Sequence, residues 1–330
     1  MINCLFLSCH ASLEYYMSKI FKEIGVQLPY YDMDVGNPER PFIIGYREPS
    51  EKQQLCNKKH HERLWTKDDL ADIDFIYMMN FANIAEVARY YTQFDKKIII
   101  HLFGQYNIAM VHDLINLMLD NGKINIVCYS KTEYKIYYVL SYDNRSIRNR
   151  LFYIPFGLDS NEFNGWEGTN NTVYTTCNDI HNRAQACGWS EYKQIIVGIP
   201  AVLSGRNTEE VGGVGLLPYD KLKFYYQMHR CYLSMGTIPA PYTLTPLEAA
   251  MTGCPTVIYD NGMGVADEEI ANISFFSSNI SEIRNYIVSL INDYEFAKRK
   301  SEITRQKAME IFDIEAVSQS WKEIISQAIS

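Results

Sequence analysis

The stretch Leu244-Thr-Pro-Leu-Glu-Ala-Ala-Met-Thr-Gly-Cys-Pro-Thr-Val-Ile258 decides the fold. A polar turn enters a short helical run. Gly253 stops that run, Pro255 bars its continuation, and an apolar strand begins at Thr256. A short helix delivered straight into an apolar strand is one beat of an alternating α/β domain. The turn Tyr242-Thr243-Leu244-Thr245 also carries chemistry. The amino end of a helix offers unpaired N–H groups and a partial positive charge, a natural seat for a diphosphate. Glu248 lies one turn in, where a carboxylate can accept two hydrogen bonds from a ribose diol. The same letters have a plain structural reading, because Thr245-Pro-Leu-Glu248 also spells a capping box. On the residues alone both readings stand.

Working outward, the same beat repeats. Strand patterns over 3–9, 26–31, 74–79, 97–103, 124–130 and 151–154 alternate with helical patterns over 12–24, 84–94, 106–119 and 132–140. The polar segment 37–69 reads as a long loop or helical excursion. The second half continues with strands at 172–177, 201–204, 231–235 and 256–259 and helices at 190–197, 220–229 and 245–252. Three helical segments close the chain at 280–292, 294–312 and 314–329. This rhythm implies parallel sheets covered by helices. Asp, Ser, Asn and Gly cluster over 159–169, which marks a boundary. The expected fold is α/β: two Rossmann-like, doubly wound parallel-sheet domains facing a cleft. Residues 1–160 form the first domain, 161–312 the second, and a helix at 313–330 packs back on the first. Ligands of such sheets bind outside the carboxyl ends of the strands.

Composition narrows the function classes. The 330 residues are 47% apolar and 21% charged, as in ordinary globular proteins. The net charge of −8 is uneven: 18 Lys+Arg against 19 Asp+Glu before residue 161, then 13 against 20. No global basic footprint for nucleic acid exists. Two local basic clusters, Lys58-Lys59-His60-His61-Glu62-Arg63 and Arg145, Arg148, Arg150, read as solvated loops. The eight cysteines form no zinc spacing. No apolar run approaches the ~20 residues of a membrane helix. Without a signal-peptide pattern, a cytoplasmic protein with reduced thiols is expected. Asp32-Met-Asp34 and Asp72-Ile-Asp74 match a metal-binding Asp-x-Asp, a pattern that arises easily by chance. Gly213-Val-Gly215 lacks the dinucleotide fingerprint, and phosphate-loop, hydrolase-elbow and zinc-protease motifs are missing.

The stretch 244–258 resembles the donor-site signature of GT-B glycosyltransferases of the family 4 kind (glycosyl transferases group 1). That signature reads Glu, seven residues, Glu, Ala-Met, Gly, Pro-Val-Val. Glu248 matches the second Glu, which the resemblance assigns to the nucleotide ribose. The first Glu, which contacts the transferred sugar, falls on Ala240. Other segments agree in order. Ile154-Pro-Phe-Gly-Leu-Asp159 is similar to the family's domain junction. Residues 173–183 resemble the segment whose two basic residues meet the donor phosphates, with Asn178 at the Arg position and Arg183 at the Lys position. Gly205 resembles the glycine turn beside the nucleotide, and Leu217 lies in the segment whose backbone meets the base. The helix carrying Trp321 resembles the one that crosses back.

The resemblance implies a hexosyl- or pentosyltransferase that moves a sugar from a nucleoside diphosphate sugar, such as a UDP-sugar, to a hydroxyl of a saccharide, protein or glycolipid. It implies retention of configuration and no cofactor or metal. The donor-binding candidates are Asn178, Arg183, Gly205, Leu217, Tyr242, Thr243, Leu244, Thr245 and Glu248. Arg183, His101 and His10 are the catalytic candidates, both histidines following strands at their carboxyl ends. Ser130 and Lys131 are acceptor-side candidates. Alternatives are a transferase acting on a hydroxymethylated DNA base, a sugar-nucleotide epimerase, and a GT-B module that only binds.

Overall fold

The computed structural model describes residues 1–8, 11–30, 50–79, 83–103, 108–238, 240, 242–260 and 268–329. His10, Asp32 and Asp34 lie outside them. The chain divides into two compact units: Met1–Gly157 with Val317–Ser330, and Leu158–Ala316.

The first unit holds six parallel strands, β1 (Ile2–Ser8), β2 (Val26–Gln27), β3 (Phe75–Met79), β4 (Lys97–Leu102), β5 (Ile124–Cys128) and β6 (Leu151–Tyr153), in the order β2-β1-β3-β4-β5-β6. β3 and β5 are buried at every residue. That is why β3 reads as an unbroken apolar run rather than as an alternation, and β5 does so apart from its buried Asn125. The helix Ala11–Glu23 ends before Gly25, whose φ of +79° no branched residue would accept cheaply. The helix Glu51–His61 fills part of the expected 37–69 loop. Ser50 caps it in a reciprocal box with Gln53. The last helix, Ile314–Ile329, carries Trp321, which is fully buried against Phe21, Tyr77 and His101.

The second unit holds β7 (Asn170–Thr176), β8 (Ala201–Ser204), β9 (His229–Ser234), β10 (Thr256–Tyr259) and β11 (Ser274–Ser277), all parallel, in the order β11-β10-β9-β7-β8. The helix Leu244–Thr252 ends at Gly253, which has φ +88°. Arg305 donates to the carbonyl of Thr252 at 3.2 Å and satisfies one of the orphan acceptors there. Leu158 N–H donates to Phe312 O, and Ile314 N–H donates back to Leu158 O, so the segments entering and leaving this unit pair with each other.

Candidate functional site

In the second unit the chain steps from β7 to β8 on one side and then returns to lay β9 on the other. The loops leaving β7 and β9 therefore diverge. This is the topological switch point, where a crevice opens outside the carboxyl ends of the strands. The described segments that leave the strands there are 177–183 after β7, 205–217 after β8, and 235–238 and 242–245 after β9.

The β7 and β8 loops are bound together. Gly205 adopts φ +123°, and a Cβ there would fall 2.4 Å from the carbonyl oxygen of Cys177. Only glycine allows the two backbones this approach. Cys177 N–H donates to Ser204 O, and Asp179 N–H to Arg206 O, each at 2.9 Å. The Asn178 side chain accepts from Arg206 N–H at 2.8 Å. Arg206 and Asn207 both bond the Asp179 carboxylate. The Arg206 hydrogen bond holds the Asp179 carboxyl below its usual range. Thr208, fully buried, donates to Gly205 O and accepts from Gly215 N–H, which closes the loop on itself. Leu217 follows and packs, partly buried, on the cluster of Tyr174, Tyr226 and Tyr232.

The helix Leu244–Thr252 begins one residue before the expected start. Thr243 is its extended N-cap residue, and no side chain caps it. The capping box at Thr245–Glu248 is not formed, which corrects the structural reading of this stretch. Thr245 sits inside the first turn, and its hydroxyl accepts instead from the Tyr232 hydroxyl at 2.9 Å. Glu248 is buried, 1% exposed, and its charge bears on the hydroxyls of Tyr174, Tyr226 and Tyr232. Tyr242 is buried with its ring 6.4 Å from that of Phe312. Ala240 closes a tight turn, donating from its N–H to Thr237 O at 2.7 Å.

Arg183 stands exposed at the head of the four-residue helix Ala184–Cys187. Its guanidinium has no hydrogen-bond or ion-pair partner among the described residues. Sequence reasoning missed Asp179, His181 and Arg206 in this corner. His181 Nε2 meets Glu210 at 2.8 Å, while its Nδ1 is buried without a partner. Arg206 directly follows the glycine turn, and that adjacency was the available signal.

In the first unit the candidates have structural surroundings. His101 is fully buried, bonded through Nδ1 to the Tyr77 hydroxyl at 2.7 Å, and burial keeps it neutral by lowering its pKa. Ser130 is buried and caps the helix Lys131–Leu140 by accepting from Glu133 N–H. Lys131 lies over the Tyr153 ring. Asp74 accepts from Asn3 N–H at the amino ends of β1 and β3, away from the carboxyl ends. The basic clusters lie largely on the helices Glu51–His61 and Arg145–Arg148 rather than on the loops expected, with Lys58, His61, Arg63 and Arg145 exposed to solvent as expected. Lys59 pairs with Asp69, His60 bonds Tyr91, and Arg63 pairs with Glu86. Arg148 lies over Tyr138 and Tyr142, and Arg150 donates to the carbonyls of Met118, Asn121 and Ile124.

Two doubly wound parallel-sheet units, of six and five strands, make this a GT-B fold. The solved structures agree. The chain is similar to Anabaena HepE in complex with UDP and glucose, with a TM-score of 0.70 and 14% identity over 99% of each chain. A glycosyltransferase from Rickettsia africae matches at TM-score 0.68 and 13% identity, over 100% of this chain and 99% of that one. T4 phage BGT in complex with its UDP-glucose substrate matches at 0.58 and 12%, over the whole of both chains. No protein-family model and no curated protein matches the sequence. No described helix is long and apolar enough to cross a membrane.

Proposed function

We propose that this chain is a GT-B glycosyltransferase of the family 4 kind that transfers a hexose or pentose from a nucleoside diphosphate sugar, a UDP-sugar first, to an acceptor hydroxyl. The observation that carries the reading is the pairing, in one unit, of an uncapped helix amino end at Thr243–Thr245 with the unpartnered guanidinium of Arg183. Both are charge-stabilising groups that a leaving diphosphate requires. Glu248 is the ribose acceptor, and the backbone around Leu217 meets the base. The complexes of HepE with UDP and of T4 BGT with UDP-glucose support UDP as the nucleotide.

Retention follows the family resemblance, with a donor phosphate oxygen taking the acceptor proton and no metal or cofactor required. The acceptor is a saccharide, protein or glycolipid hydroxyl. A DNA base finds less support, because most of the basic side chains that would meet phosphates are engaged within the first unit. A thermal-shift screen of nucleoside diphosphates and their sugars tests the donor. Stabilisation by UDP and its sugars is expected. No shift with any nucleotide would overturn the reading. With a UDP-sugar bound, UDP release in the presence of acceptors separates a transferase from an epimerase or a binding module.

A further inference from the structure

A diphosphate carries charge on both phosphoryl groups, and it gains more as the bond to the sugar breaks. A helix amino end offers only about half a unit charge. Arg183 and the start of the helix Leu244–Thr252 therefore leave the proposed donor site short of positive charge. Asn178, which stands where the family signature has an arginine, does not supply it. Its side chain is neutral, and its amide oxygen accepts from Arg206 N–H at 2.8 Å. Arg206 itself brings a second guanidinium to this corner. It is the second residue beyond β8, and its side chain is 61% exposed. Its Nε and Nη2 both donate to Oδ2 of Asp179, at 2.9 and 2.7 Å. Both hydrogens of Nη1 and the second on Nη2 have no partner among the described residues. Arg183 is tied to the same aspartate. Its N–H donates to Asp179 O at 2.8 Å, across one helical turn of about 5.4 Å. One aspartate thus holds an arginine from each of two loops, two guanidiniums against one carboxylate. The acidic residues of the β8 loop are occupied elsewhere, Glu209 against Gly215 and Glu210 on His181. The start of the helix Leu244–Thr252 is joined to the same strand end. The Tyr232 hydroxyl lies 2.9 Å from Thr245 Oγ1 and 3.5 Å from the carbonyl oxygen of Thr176, the last residue of β7.

We propose that Arg206 is a second phosphate-binding cation of the donor site, brought from the loop after β8 and oriented by Asp179, so that Arg183 and Arg206 hold the diphosphate from two loops. The Asp179 carboxylate takes one edge of the guanidinium fork and leaves the rest for phosphate oxygens, which accept charge-assisted hydrogen bonds. The positive charge absent at Asn178 is in this way supplied by a residue distant in sequence. The assignment rests on the donor reading proposed above.

The test is a calorimetric titration of the full chain with UDP, alongside displacement of UDP by uridine, which has the base and ribose without phosphate. Arg206→Gln should weaken UDP by about tenfold to hundredfold, the factor for one hydrogen-bonded contact between charged groups, and leave uridine unchanged. Arg206→Lys, which keeps a charge but not the fork, should fall between wild type and Arg206→Gln. Urea unfolding of both variants should match wild type closely, because the side chain is exposed. Undiminished UDP affinity in Arg206→Gln overturns the assignment. So does an equal loss for UDP and uridine, which marks an arginine that only orders its loop. Failure of wild type to bind any nucleotide overturns the donor reading itself, whereas nucleotide binding indifferent to Arg206 overturns this assignment alone.

Discussion

Arg206 donates from Nε and Nη2 to one oxygen of Asp179, at 2.9 and 2.7 Å, and so ties the loop after β8 to the loop after β7. The Arg206 side chain is 61% exposed, so solvent screens the pair. Exposed pairs contribute at most about 1 kcal/mol. Its effect is on order rather than on global stability. Asp179→Asn keeps a residue that tolerates the local φ of +54° while removing the charge. Urea unfolding of this variant should shift by less than about 1 kcal/mol. Calorimetric UDP titration should show a clear loss of affinity. Wild-type affinity would mean that the clamp does not shape a donor pocket.

Gly205→Ala is expected to be severe. The new methyl would meet backbone, the Cys177 carbonyl at 2.4 Å, not a side chain that could swing away. The φ of +123° adds strain for any residue with a Cβ. A loss of about 2–4 kcal/mol is expected, because only parting β7 from β8 relieves the clash. Denaturant unfolding measures it. A loss below about 1 kcal/mol would show that the loop is looser than its hydrogen bonds imply.

The alternation of strands and helices was legible because most of these strands are buried runs with turn residues between them. Gly25 and Gly253 stop their helices where the sequence said they would. The segments that escaped lack such contrast. The helix Glu51–His61 buries only Gln53 and Cys56, so it has no apolar stripe to read. β11 is the edge strand Ser-Phe-Phe-Ser, half-buried throughout, and the helix Glu268–Ile273 before it spans under two turns. Arg183, Gly205 and Glu248 became donor-site candidates by their order along the chain. Thr245 was misread because its partner, the Tyr232 hydroxyl, lies on another element. The same holds for Asp179 and Arg206, which meet across two strands, and for the two basic clusters. Side-chain pairings distant in sequence leave no local pattern.

Trp321 tests the return of the last helix to the first unit. Its ring is fully buried, with centroids 5.8 Å from Phe21, 5.9 Å from Tyr77 and 4.8 Å from His101. Trp321→Ala opens a cavity beneath β1, β3 and β4 and should cost about 3–5 kcal/mol. Trp321→Phe keeps most of the packing and should cost clearly less in the same unfolding experiment. Equal losses for the two would mean that the site collapses around either side chain.

Acid should unfold the protein before its carboxylates matter. Burial lowers His60 and His229 to about 4, with the charges of His61 and Arg63 adding to the effect at His60. Burial also lowers His101. Above the ordinary histidine pKa of about 6.5 neither the folded nor the unfolded state takes these protons. Between that value and about 4 the unfolded chain binds protons at His60 and His229 that the folded chain refuses, so stability falls as the pH falls. Asp69 acts lower down. The Lys59 hydrogen bond holds it at about 2, so its contribution persists until well below pH 4. Urea midpoints should therefore drop steadily between pH 6.5 and 4.5. His229→Gln, which cannot take the proton and keeps a polar group near Thr172, should flatten that slope. An unchanged slope in His229→Gln would assign the acid sensitivity to His60 and His101 in the first unit.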